Sequence, residues 1–267
     1  MITNFAALEI AVDIAAKEVF KIGVFSVTNA MLTGLVGTAI TLGVLFYVGN
    51  AVRHKKYNRF VGLVQWVFEG LLNQINEIIP DRKLGRKMTP LVVTIFFLVL
   101  FNYWLSVLPG LDSIKVNGVP ILRSPTADLN FTLGLATVTI IAIQIFAIKQ
   151  LGIWGNAGRY FRNPFKDTIG FFEGLLEIIG EFSRAVSLAM RLFGNAFAGE
   201  ILLLVIVVLA SYASTIALPI FMAFEMLIGF IQAYVFFVLT LIFTSLAVAH
   251  HGDSAETHQP VAELHVE

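Results

Sequence analysis

The sequence predicts an all-α polytopic membrane protein: about five membrane-embedded helices and one interfacial amphipathic helix, ending in a long, strongly tilted helical hairpin. Three observations carry that prediction. Apolar residues make up 57% of the 267, charged residues only 13%, and mean hydropathy is +0.83. Several runs reach the ~18–20 apolar residues that cross a hydrocarbon core about 30 Å thick. From residue 167 to about 210 no proline interrupts a helical pattern, a length of roughly 60 Å at the helical rise, or twice the core thickness. The period-two alternation of a membrane barrel is absent. A formal net charge of zero gives nucleic acid no electrostatic footing. The lack of cysteine excludes disulfides, thiol catalysis and Cys-ligated metals.

The elements follow in order, within a single membrane domain. Residues 1–25 read as an outer, weakly amphipathic helix, with Glu9, Asp13 and Lys17 on one face and Leu8, Val12 and Val19 on the other. Its mixed charges are unlike the basic start of a cleavable signal peptide. A first span covers 26–52, where Gly34, Gly37 and Gly43 admit a neighbouring helix. A basic cluster at 53–59 ends it. Residues 60–79 are largely apolar but punctuated by Gln65, Glu69, Asn73 and Glu77, which recur every fourth residue and share one face. That is the pattern of a helix lying along the membrane surface. A second basic stretch at 81–87 precedes a span over 90–108, with Pro90 suited to its first turn. Residues 109–126, with three prolines, form a loop. Asp128 suits the N-cap of a span over 129–148. The hairpin occupies 167–250 and turns at 211–215. Residues 251–267 are a polar tail, and the histidines at 250, 251, 258 and 265 have no metal-ligand spacing.

Orientation follows from the cations. The segments at 53–59, 81–87 and 149–166 hold twelve of the eighteen Lys and Arg, whereas the 109–126 loop holds only Lys115 and Arg123. Under the positive-inside rule the N-terminus lies outside and the C-terminus in the cytoplasm.

The chemistry gathers in the hairpin. Arg191 is the last Lys or Arg in the chain and stands alone in a long apolar stretch. A guanidinium at membrane depth costs roughly 2.5–3.5 kcal/mol, and it does not escape by deprotonating. Such a cation is expected to face water or a partner carboxylate, which makes an ion pathway the first hypothesis. At 100° per residue Arg184, Ser187 and Asn195 lie near its face, and Glu177 sits about 40° away and roughly 21 Å along the axis. Glu200 falls on the opposite side. On the returning helix Glu225 and Gln232 share a face. An antiparallel count sets Arg191 level with Gln232, and Glu200 level with Glu225, where two acids at one depth can share or relay a proton. Glu173 and Glu181 read as solvated or headgroup-facing.

The stretch Ser187-Leu-Ala-Met-Arg-Leu-Phe-Gly-Asn-Ala-Phe-Ala-Gly-Glu200 resembles the signature of subunit a of the F-type ATP synthase. Pro125-Thr-Ala-Asp-Leu-Asn-Phe-Thr, Gln232-Ala-Tyr-Val-Phe-Phe-Val-Leu-Thr and Asn102 fit the same family, in order, from the first span to residue 250. The resemblance implies a stator with two offset aqueous half-channels, against which a ring of c-subunits turns. Arg191 then matches the arginine that attracts the ring carboxylate and blocks a proton short-circuit, Gln232 the glutamine opposite it, and Asn195 a polar neighbour. Glu200 and Glu225 match the outer half-channel, with Asn102 a wall; Glu177 and Ser187, with Arg184, line the cytoplasmic one. Where some members pair the first outer acid with a histidine, position 225 is Glu. The resemblance further implies a proton in preference to sodium, and peripheral-stalk b subunits and a lipid bilayer as partners. The sequence shows no targeting extension, so a bacterial plasma membrane is expected, with an energy-transducing organelle membrane as the alternative. No nucleophile constellation, phosphate loop or zinc spacing occurs, so no cofactor is expected and ATP chemistry belongs elsewhere in the complex. The competing reading is a secondary ion transporter with a midplane arginine–carboxylate site, which ordinarily shows internal repeats and broken helices.

Overall fold

A computed structural model describes residues 16–23, 25–79, 81–108, 115–116, 119–120, 123–160, 168–210 and 213–249. The described chain begins with strands β1 (Glu18–Ile22) and β2 (Phe25–Thr28), which pair antiparallel. This corrects the expected N-terminal helix over its described part. The turn contains Gly23 at φ 62, a conformation open to glycine, and the flanking residues are largely β-branched or aromatic. Residues 1–15 of that prediction lie outside the described residues, as does the polar tail.

Helix α1 (Asn29–Arg53) starts where Thr28 accepts the Met31 N–H at 3.3 Å. Helix α2 (Arg59–Ile78) turns Val61, Val64, Leu71 and Ile75 inward and leaves Glu69, Asn73 and Glu77 exposed. Helix α3 covers Arg82–Val107 and so begins two turns before the expected start. Asp81 caps it by accepting from Lys83 N–H at 2.8 Å, which makes the basic stretch its first turns and places Pro90 inside the helix. The missing Pro90 N–H costs one backbone bond, while the Pro90 carbonyl accepts from Thr94 Oγ1 at 2.6 Å. Two-residue strands β3 (Lys115–Val116) and β4 (Val119–Pro120) pair within the following loop.

Helix α4 (Leu129–Tyr160) is capped by Asp128, whose Oδ1 accepts from Asn130 N–H at 2.9 Å. It outruns the expected span because it is two helices joined at Gly152, where φ 77 and ψ 164 break the helical path. Asn156 Nδ2 therefore reaches back to Gln144 Oε1 at 3.1 Å. Without that reversal twelve residues of helix would separate them by about 18 Å. Helix α5 (Thr168–Ala210) is unbroken over 43 residues, and α6 (Ser214–Ala249) returns antiparallel over 36.

Five helices (α1, α3, α4, α5 and α6) are long and apolar enough to cross a membrane. Helix α3 is central, packed on α1, α2 and α6, while α4 lies on α5 and α6. Phe96 anchors the core, edge-on to Phe97, Phe230 and Phe237. Of the predicted glycine ladder, Gly34 meets Phe131 of α4 and Gly37 meets Asn102 of α3, whereas Gly43 faces open space.

Candidate functional site

One stripe of α5 carries Glu177, Glu181, Arg184, Ser187 and Arg191 within roughly 120° of helix surface. Arg184 Nη2 donates to Glu177 Oε1 at 3.2 Å, and its guanidinium lies 5.6 Å from the centre of the Phe243 ring. Arg184, Ser187 and Arg191 of α5, with Leu239 and Phe243 of α6, line a cavity of about 180 Å³. Ser187 and Arg191 are exposed. Arg191 makes no hydrogen bond or ion pair among the described residues.

Beyond Arg191, Asn195 Nδ2 donates to Gln232 Oε1 at 2.7 Å, and Gln232 is buried with its Nε2 unbonded among the described residues. Gln232 thus bonds Asn195, which lies one turn along α5 from Arg191 on the same helix face. Closer to the turn between α5 and α6 the counted level of Glu200 and Glu225 is met. Gly199, the neighbour of Glu200, closes on the Glu225 carboxylate so tightly that a Cβ would overlap it. Glu200 and Glu225 thus share a depth. Glu225 is buried and accepts from Tyr103 Oη at 2.6 Å; the Tyr103 ring in turn rests on Gly229. The adjacent Trp104 Nε1 donates to Met226 O at 2.9 Å, fixing α3 against α6. Asn102 points the other way, towards Gly37 of α1, with Nδ2 donating to Leu98 O at 2.8 Å and Oδ1 buried without a partner among the described residues. The structure therefore joins Asn195 to Gln232 and Glu225 to α5, but sets Asn102 on a different face of α3.

Two features escaped the sequence reading. Tyr103 is one, since its partner lies 122 positions away. The other is Glu181, which is half-buried rather than solvated. Its Oε1 accepts from Gln144 Nε2 and from Tyr160 Oη, an arrangement that needs the reversal at Gly152. Among the described residues no group of three His, Asp or Glu is placed to hold a metal.

The ATP synthase A chain family profile matches residues 31–245, which includes every residue of this polar path. The chain belongs to the ATP synthase A chain family. It is similar to ATP synthase subunit a of Desulforamulus reducens, 33% identical over 82% of this chain and 80% of the relative. The corresponding protein of Acidothermus cellulolyticus is 30% identical over 93% and 87%, and that of Mycobacterium tuberculosis 31% over 83% and 87%. With five apolar helices, this family member is a multi-pass membrane protein.

Proposed function

We propose that this chain is the proton-translocating stator subunit of an F-type ATP synthase, coupling proton flow through two offset half-channels to rotation of a c-subunit ring. The unpaired, exposed guanidinium of Arg191 carries the reading. A cation at membrane depth costs kilocalories unless an anion or water meets it, and no carboxylate of the described chain does. A passing ring carboxylate from another subunit meets that need, and a fixed positive charge repels protons crossing directly from one half-channel to the other.

The polar groups on either side support the two half-channels. On the inner side the cavity at Arg184 and Ser187, with Glu177 near its entrance, leads to Arg191. On the outer side Glu225 and Glu200 lie at one depth, about 13 Å along α5 from Arg191, with Gln232 and Asn195 between. An unbonded buried amide costs about 1–3 kcal/mol. The buried Gln232 Nε2 and Asn102 Oδ1 lack a hydrogen-bond partner among the described residues. Asn102, turned towards Gly37 of α1, stands apart from the Glu200–Glu225 set. The proton is the transported ion in preference to sodium; the partners are the c-ring, peripheral-stalk b subunits and the lipid bilayer. The membrane is a bacterial plasma membrane, with the N-terminus outside and the C-terminus cytoplasmic, because the cations cluster at one end of the spans. ATP chemistry takes place elsewhere in the complex.

The deciding experiment is Arg191→Ala in the assembled complex, scored by ATP-driven acidification of membrane vesicles alongside ATP hydrolysis. Pumping is expected to fall to background while the complex still assembles. Pumping near the wild-type rate would make Arg191 a structural cation and end this reading.

A further inference from the structure

Where α1 meets α2, Tyr47 and Tyr57 wall a cavity of about 290 Å³, with His54 and Lys56 at its edge and Ala51 and Val61 beneath. No acidic residue lines it. Arg53, Lys55, Lys56 and Arg59 are all exposed, and none forms an ion pair among the described residues. Four cations within seven residues therefore hold their charge without an internal counterion among the described residues.

The backbone builds this corner around the charge. Lys55 N–H donates to Val52 O at 3.1 Å and Lys56 N–H to Ala51 O at 2.9 Å, which closes α1 by the six-to-one and five-to-two bonds of a Schellman cap. That cap needs a left-handed residue, ordinarily glycine, yet Lys55 fills it at φ 52. His54 Nδ1 donates to Asn50 O at 3.1 Å, which turns Nε2 away from the helix. Tyr57 packs its hydroxyl end onto Gly62 so closely that a Cβ there would collide, leaving the ring standing at the cavity wall. Around it the surface is apolar: Phe46, Val52, Phe60 and Leu63 are exposed.

We infer that this α1–α2 corner is a binding site for the headgroup of an anionic phospholipid. The phosphodiester is held by Lys56, the two tyrosines flank the glycerol region, and the acyl chains lie on the exposed apolar turns. Basic pockets beside a membrane span take anionic headgroups, and tyrosine suits a site with one wet and one apolar end. The apolar surround favours a lipid over soluble phosphate. The site lies on α1 and α2, away from the α5 stripe, so its test stands apart from the transport reading.

The test uses the assembled complex in liposomes containing photoactivatable phosphatidylglycerol or, separately, photoactivatable phosphatidylcholine, with labelled positions mapped by mass spectrometry. Phosphatidylglycerol is expected to label residues 47–61 in preference to phosphatidylcholine. Lys56→Ala is expected to reduce that labelling about fivefold, the factor for one interfacial cation. Tyr57→Ala reduces it with no change in charge, and Lys83→Ala, on the other basic stretch, leaves it unchanged. Equal labelling by both lipids, or an equal loss with Lys83→Ala, overturns the site as diffuse attraction. Displacement of the lipid by millimolar inorganic phosphate overturns it in favour of a soluble anion.

Discussion

Tyr103 and Glu225 form a closely built contact between α3 and α6. The carboxylate has α5 backbone at Gly199 on one side and a phenol donor on the other, and both neighbours leave it little freedom. Tyr103→Phe keeps the ring on Gly229 but removes the donor, whose hydrogen bond is worth about 0.5–1.5 kcal/mol. ATP-driven vesicle acidification is expected to slow several-fold, with ATP hydrolysis by the intact complex little changed; unaltered pumping would make the tyrosine a packing residue only. Gly199→Ala should do more, because its Cβ occupies the space of the carboxylate. The sequence made Arg191, Gln232 and the two acids legible because polar groups are improbable within long apolar runs. Tyr103 lacked such a signal: an aromatic in an apolar helix is ordinary, and only the packing of α3 on α6 brings it to Glu225. Glu181 was misread for a related reason. An acid on a long helix looks solvated until a second segment, folded back at Gly152, supplies its donors.

Helices were legible as faces and less so as ends. The fourfold spacing on α2 and the Asp128 cap hold, because both are local properties. The start of α3 was misplaced because Pro90 reads as a first-turn residue, while Asp81 caps the helix two turns earlier. In the hairpin the Gly199–Glu225 contact agrees with the counted level of Glu200 and Glu225. The residue bonded to Gln232 is Asn195, one turn from the counted Arg191, because long amide side chains reach along the helix. Backbone geometry gives two sharp expectations. Gly152, at φ 77 and ψ 164, occupies a region essentially closed to side chains, so Gly152→Ala is expected to destabilise the reversal by about 1–3 kcal/mol. Faster amide exchange over residues 153–160, with α5 unaffected, would show it. The opposite sign applies at Lys55, where φ 52 is strained for a side chain. Lys55→Gly is expected to stabilise the end of α1 by about 1 kcal/mol, visible as slower exchange of the Lys56 amide.

The length of α5 constrains how the assembled helices sit in a bilayer. At 43 residues it spans about 65 Å, against a hydrocarbon core of about 30 Å. An upright helix would put half its length in water, and that half should be polar on its exposed face. It is not: Ile169, Phe172, Leu176, Ile179 and Phe182 are exposed near one end and Leu202, Val207 and Leu209 near the other. A helix that shows apolar side chains from end to end must have an apolar neighbour from end to end, whether lipid or ring. The geometry that satisfies this is a tilt of about 60° from the membrane normal. Because the chain contains no cysteine, single cysteines at Ile169, Phe182, Leu202 and Leu209 in the assembled complex can carry spin labels without background. Their depths, read from relaxation by oxygen against a soluble nickel chelate, should change by about 0.7 Å per residue along the helix, half the upright rise. A gradient near 1.5 Å per residue, with residues 169–182 in water, would instead mean that another subunit covers that apolar face outside the bilayer.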